Sequence, residues 1–369
     1  MKKTLIAMAA VAVAGTASAQ VNIGGTITFD AYTDTELTET DTSDVTKVTS
    51  DNDTASSNIL TTSQLTMSGS EDLGGGLSLG FVMNTGSDNS SFGARDRNVT
   101  LSGDFGTIRV GRFVPAAAYG WYGYTGNKTT GAGSAYTAGM AGATYGGFYG
   151  AVTTATTDAG SYERNDNQIQ YTTSIAGITV NANYGSNKQD VSTTIGANEA
   201  KQQGISASYA AGALSLAIGQ NSRTVDAEGG AAATGTEIDG DLDWYGASYD
   251  FGAVKATYAN LKRKDQAAAA TTGTITVSSD IEINSFGVSM PMGALTVAAS
   301  MYDGSNAGSA ATTDNYDLSG KQVYASYSLS KRTSVYAAHG ETDASRAGGN
   351  TTSATTKRVR TMMGMLHSF

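Results

Sequence analysis

The sequence predicts an all-β fold, a transmembrane antiparallel β-barrel of about sixteen strands with short periplasmic turns and long external loops. Three observations carry this prediction. Beyond Gln20 no stretch sustains apolar residues at helical spacing, whereas short segments alternate apolar and small polar residues at period two. Tight turns recur with two strands and a long polar segment between them, so short connections collect at one rim and long ones at the other. The composition, with 46 glycines, 19 tyrosines, two prolines and only 15% charged residues, is not that of an average soluble protein.

The first 19 residues are of another kind. Lys2 and Lys3, the apolar stretch Leu5–Val13 and Ala17-Ser18-Ala19 before Gln20 read as a cleaved secretory signal. Residues 1–19 are therefore assigned to that signal and 20–369 to one barrel domain, since neither a proline-rich linker nor a compositional break divides the remainder. No apolar run reaches the about 20 residues of a membrane-spanning helix.

An opening strand is expected near Val21–Thr33. The short turns fall at Glu71–Gly76, Asp104–Gly106, Ser174–Gly177, Ala210–Ala213, Asp250–Ala253, Pro291–Ala294 and Leu329–Arg332. Seven such turns join fourteen strands, and a closing strand near Thr356–Phe369 completes sixteen. Leu77–Met83 places Leu77, Leu79, Phe81 and Met83 on one face; Ile178–Tyr184 sets Thr179, Asn181 and Asn183 opposite its apolar face. Leu214–Ile218 and Leu295–Met301 repeat the pattern. A soluble β-sandwich or solenoid also alternates, but sandwich turns recur every 8–12 residues or so. Sixteen strands of roughly 10 residues would leave more than half of the chain for turns and loops. A barrel this wide cannot be filled by side chains, so an aqueous lumen follows, matching the small polar faces. Tyr184, Tyr209, Tyr249, Tyr258, Tyr327 and Tyr336, near strand ends, suit interfacial girdles, although tyrosine is also a common strand residue.

Composition removes much chemistry. The absence of cysteine excludes disulfides, iron–sulfur clusters, thiolate zinc sites and a cysteine nucleophile. Two histidines, His339 and His367, make a histidine metal site or relay improbable. The net charge of −10, more acidic still once Lys2 and Lys3 are removed, argues against nucleic acid as a partner. Asp34 to Asp53, with seven acids and Lys47, reads as an external first loop. A structural calcium is the alternative there, but Asp51-Asn52-Asp53 lacks the glycine and distal glutamate of a calcium loop; no other cofactor is expected. Gly120–Lys128 lacks the Gly-Lys-Ser/Thr of a phosphate loop.

Four segments in order carry a family resemblance. Ser63-Gln64 with Gly69–Leu77, Arg95 with Val99–Arg112 and Pro115, Tyr327–Tyr336, and the terminal Gly364–Phe369 resemble the general, trimeric, sixteen-stranded porins of the proteobacterial outer membrane. The resemblance implies a homotrimer in the outer membrane of a Gram-negative bacterium. Membrane lipid and lipopolysaccharide would surround it, and the outer-membrane assembly machinery would read Phe369. It also implies that the third loop, here Phe113 to Asn165, folds into the lumen as a constriction, with acids on the loop facing bases on the wall. The loop acids are then Asp158, Glu163 and Asp166, which otherwise read as solvated charges at a strand entrance. Tyr119, Trp121, Tyr122 and Tyr124 either line that loop or anchor it.

Parity places the wall bases. With Ile108 and Val110 outward, Arg109 faces the lumen; with Met363, Met365 and Phe369 outward, Arg358 and Arg360 face inward. Lys255 points inward near the periplasmic end. Arg95 divides the two arguments: the resemblance makes it a wall arginine, while parity with Val99 and Leu101 turns it outward. Gln64 stands where the family commonly has a wall arginine, which implies a less anion-friendly pore.

The expected function is passive diffusion of small hydrophilic solutes and ions, with mild cation selectivity and no enzymatic turnover. A substrate-specific porin for sugars or peptides is the alternative. A surface adhesin fits less well, because the long segments are mostly Ser, Thr, Ala and Gly, and a barrel enzyme lacks a visible nucleophile and base.

Overall fold

Hydrogen bonding between successive strands closes the chain into an antiparallel barrel. The computed structural model describes residues 20–42, 46–59, 63–86, 95–126, 164–189, 198–227, 236–269, 275–307, 314–348 and 352–369. Within them run β1 (Gln20–Thr42), β2 (Thr46–Ile59), β3 (Gln64–Gly74), β4 (Leu77–Gly86), β5 (Arg97–Gly103) and β6 (Gly106–Phe113). A short helix α1 (Ala116–Tyr119) and a 3₁₀ turn (Gly120–Tyr124) follow. Then come β7 (Asn165–Ile175), β8 (Ile178–Gln189), β9 (Asn198–Ala211), β10 (Leu214–Ala227), β11 (Thr236–Asp250) and β12 (Lys255–Ala269). The last strands are β13 (Ile275–Met292), β14 (Leu295–Ala307), β15 (Asp314–Ser328), β16 (Thr333–Gly348) and β17 (Thr352–Ser368). The expected signal segment, 1–19, lies outside the described residues.

Seventeen strand segments make sixteen staves. The lower part of β1 pairs with β3, from Gln20↔Ser70 to Thr26↔Gln64, and its upper part pairs with β2, from Phe29↔Ile59 to Thr42↔Thr46. Thus β2 and β3 lie end to end as one broken stave. The other edge of β1 pairs with β17 from Thr26↔Ser368 to Thr42↔Thr352, which closes the barrel.

All seven expected turns join the strands they were expected to join. Between β7 and β8, Ala176 and Gly177 take φ of 52° and 81°, the paired left-handed conformation of a two-residue hairpin turn whose twist matches the sheet.

Strand length departs from expectation. β13 has 18 residues, about 60 Å of strand, and after a barrel tilt it rises about 45 Å against an apolar band of about 25 Å. The upper halves of β11–β17 therefore stand beyond the hydrocarbon, and their polarity inverts. Asp243, Lys262 and Lys321 point outward, while Leu242, Leu261, Ile281, Ile283, Tyr302 and Leu318 are buried inside. The first loop expected from Asp34 to Asp53 is likewise strand: Asp34 belongs to β1, and Asp51–Asp53 to β2. Of the acids that suggested a loop, Asp34, Glu36, Glu39 and Asp41 are carried by β1 and Asp51 and Asp53 by β2, while Asp44 lies outside the described residues.

The outward apolar band is formed by residues such as Val99, Val110, Ile169, Ile205, Ile218, Val288, Val323 and Met365, all exposed. Tyr209, Tyr249 and Tyr327 edge it at the short turns, and Tyr184 and Tyr245 edge its other side. Tyr336 corrects the girdle expectation: it faces inward, 4% exposed, and donates its hydroxyl to Asp30.

Candidate pore and its constriction

Along each strand the residues between the outward apolar ones form the inner wall. Thr28, Asn98, Gln170, Asn183, Ser206, Ser300 and Gln322 lie there, so the inward face of the strands is polar.

Charge concentrates at the seam where β1 meets β17. Asp34 and Arg360 are direct partners in the register, as are Glu36 and Arg358. Asp34 Oδ2 accepts from Arg360 Nη2 at 2.7 Å and from Arg358 Nη2 at 2.9 Å, and Arg358 Nε donates to Asp34 Oδ1 at 3.0 Å. Glu36 lies 3.5 Å from Arg358 Nη2. The Arg360 guanidinium sits 4.4 Å from the centre of the Tyr32 ring, a cation–π contact, and Tyr336 stacks on Tyr324 beside the same wall. Period two puts Thr28, Asp30, Tyr32, Asp34 and Glu36 on one face of β1. That alternation was available in the sequence, but the density of acids obscured it.

The segment after β6 is fastened inside the barrel. Gln168 donates to the Phe113 carbonyl at 2.8 Å, and Gln170 accepts from the Ala116 N–H at 3.1 Å, so β7 fixes the segment's start. The Arg109 guanidinium stacks 4.2 Å from the Phe113 ring centre. Trp244 of β11 donates its indole N–H to the Ala117 carbonyl at 2.6 Å. Tyr124 shares a hydrogen bond with Ser215 of β10 at 3.0 Å, and Ser285 of β13 donates to the Thr125 carbonyl at 2.8 Å. Trp121, 1% exposed, joins Ala118, Leu242, Trp244 and Leu261 in one apolar cluster. Room for this segment comes from wall glycines. A Cβ on Gly219 would lie 2.5 Å from the Trp244 indole, and one on Gly246 would lie 2.4 Å from the Tyr124 ring. Residues 113–126 thus cross the inner wall from β6 to β13, narrowing the lumen from one side. Trp121 and Tyr124 act as anchors, and Tyr119 stacks on Tyr122 at 5.3 Å.

The other candidate residues are dispersed. Asp158 and Glu163 lie outside the described residues. Asp166 does not stand across the lumen from the wall arginines. It pairs with Arg97 at 2.8 Å and Arg112 at 3.4 Å, two side chains on the face of β5 and β6 that carries Val99 and Val110. A positive φ at Asn167 and the register shift between Gly111 and Phe113 turn the backbone there. Arg95 is half-buried just before β5, its N–H bonded to the Asn84 carbonyl at 3.2 Å. Gln64 accepts from the Asn84 side chain at 3.1 Å. Lys255 is exposed at the turn end of β12. Phe369 is 48% exposed, and its main chain exchanges two hydrogen bonds with Gly25. Both histidines bond a threonine of the adjacent strand, His339 to Thr361 at 2.8 Å and His367 to Thr333 at 2.9 Å. They share the outward parity of Val335 and Met365.

A closed sixteen-strand barrel with a polar inner wall and a segment folded into its lumen is the architecture of a diffusion channel, and comparison with known proteins agrees. The family model described as Gram-negative porin matches residues 5–347. The chain belongs to the Gram-negative porin family. Outer membrane porin protein 32 of Delftia acidovorans is 28% identical over 352 residues, spanning 91% of this chain and 88% of that one. In fold this porin is similar to the anion-selective porin from Comamonas acidovorans, with a TM-score of 0.63 and 21% identity over 95% of this chain and all of the other. It is also similar to the trimer form of OmpT from Vibrio cholerae, with a TM-score of 0.60 and 13% identity over 95% of this chain. This porin is accordingly a multi-pass protein of the outer membrane.

Proposed function

We propose that the barrel is a passive channel for small hydrophilic solutes and ions, with a mild preference for cations. The observation that carries this reading is the asymmetric lumen. One side is narrowed by residues 113–126, and the wall at β1 and β17 keeps a polar face on which Arg358 and Arg360 are matched by Asp34 and Glu36. A solute then meets an aqueous passage with alternating small charges and hydroxyls. Arg358 and Arg360, already paired to carboxylates, attract anions weakly, which favours cations. The anion-selective porin from Comamonas acidovorans is 21% identical, so that likeness bears on fold alone.

A substrate-specific porin was suggested by the aromatic third loop. Trp121 and Tyr124 hold the start of that loop, residues 113–126, to the wall rather than presenting their rings to a solute, which favours general diffusion. A barrel enzyme is disfavoured by the histidines, which bond threonines on the outward-parity side. A homotrimer is the proposed assembly, as in the trimer form of the Vibrio protein. Membrane lipid, lipopolysaccharide and the assembly machinery acting at Phe369 are its proposed partners, and no cofactor is required. The segment weighed for calcium, Asp51–Asp53, lies in β2 rather than in a loop.

The test is the zero-current potential of the purified protein in a planar bilayer under a salt gradient. Ohmic steps with a cation-side potential are expected. A folded barrel that conducts nothing would return the adhesin or enzyme reading, and an anion-side potential would overturn the selectivity.

A further inference from the structure

The seam between β1 and β17 does more than close the cylinder. We propose that Asp34 determines the ion preference of the pore, by holding Arg358 and Arg360 on one shared carboxylate on the inner wall. The proposal rests on the channel reading above.

Two inward arginines two residues apart on one strand would by themselves form a local positive patch, and a lumen with low-dielectric walls focuses such a field on passing ions. Asp34 offsets one of those two charges and Glu36 the other. The Asp34 side chain is 6% exposed, and its Oδ2 lies within hydrogen-bond distance of both guanidinium groups, at 2.9 and 2.7 Å. Glu36 cannot substitute for it: it is 42% exposed, stands 3.5 Å from Arg358, and is two register positions from Arg360. Asp30 is occupied further down the same face, accepting from Tyr336. Tyr32 completes the arrangement by covering the face of the Arg360 guanidinium. The set of two arginines with Asp30, Asp34 and Glu36 carries one excess negative charge when all are ionised. Loss of Asp34 brings it to zero and leaves two guanidinium groups without their shared acceptor. The position of a single carboxylate on β1 thereby decides whether this stretch of wall is negative or neutral.

Zero-current potentials of wild type, Asp34→Asn, Arg358→Gln and the double variant, in potassium chloride gradients at low and high mean salt, test this. Asp34→Asn is expected to move the cation-to-anion permeability ratio toward anions by about twofold or more at low salt, with the shift shrinking as salt rises. Arg358→Gln is expected to move it toward cations, and the double variant to return near wild type. An Asp34→Asn channel with ohmic steps and an unmoved potential overturns the proposal. If Asp34→Asn fails to assemble, Arg358→Gln decides alone, and an unmoved potential there overturns it equally. Failure of the channel reading looks different, because wild type itself would then show no steps.

Discussion

Trp244 and the glycine beside it show how one side chain governs the bore. The indole fills space that any Cβ at Gly219 would invade, lying 2.5 Å away, and its N–H holds the Ala117 carbonyl. Trp244→Ala removes this anchor and opens a cavity in the inner cluster, a change that costs about 3–5 kcal/mol in packed cores. The barrel's backbone ladders do not depend on it, so the loss should fall on the inward segment. Single-channel conductance is expected to rise, and liposome swelling should admit larger sugars. Gly219→Val should act in the same direction by displacing the indole. Wild-type conductance in both variants would mean that residues 113–126 do not limit the pore. His339 gives the contrasting case, since its outward position makes His339→Ala silent in both assays.

At the scale of the element, the seam depends on Gly364 as much as on its charges. A Cβ there would meet the Tyr336 ring at 2.4 Å and Asp30 at 2.5 Å, where the Tyr336 hydroxyl crosses over β17 to reach β1. Gly364→Val must push these apart at the strand that closes the barrel. It is expected to abolish the heat-modifiable folded band in gels, while Tyr336→Phe keeps that band and loses about 1–2 kcal/mol of stability. The seven short turns were legible in the sequence because turn residues and period-two alternation agree there. The lengths of the strands were not. In Asp239-Gly-Asp-Leu-Asp-Trp244 the acids face out and the apolar residues face in, the reverse of a membrane stave, so the segment reads as loop. Arg109, Arg358 and Arg360 could be placed on the wall by parity alone. Asp34 could not be paired with them, because its partner Arg360 is 326 residues away and only the closing register brings them together. Asp166 was misjudged for a similar reason: the kink at Asn167 breaks the parity from which its direction would be read.

The whole molecule is positioned in the bilayer by where its outer surface changes character. Met292, Met290, Val288 and Phe286 on β13, and Leu295, Val297, Ala299 and Met301 on β14, give the apolar band. Glu282 on β13 and Asp303 on β14 stand above it. Val288, 49% exposed, is near the middle of this band, and Asp303 lies just past its upper edge. A cation in hydrocarbon loses hydration that the bilayer cannot replace, whereas one at the rim stays in water or reaches lipid phosphates. Val288→Arg is therefore expected to cost roughly 2–4 kcal/mol in unfolding from lipid vesicles, and Asp303→Lys roughly 0–1 kcal/mol. The comparison tests the boundary itself, because both side chains face outward on adjacent strands and differ chiefly in depth. Equal penalties would place the upper edge of the membrane above Asp303, and the outward charges of β11–β17 would then lie in hydrocarbon. Barrels with such charges at mid-depth would be strongly destabilised, so the inverted polarity of the upper strands, apolar inside and charged outside, requires the lower boundary.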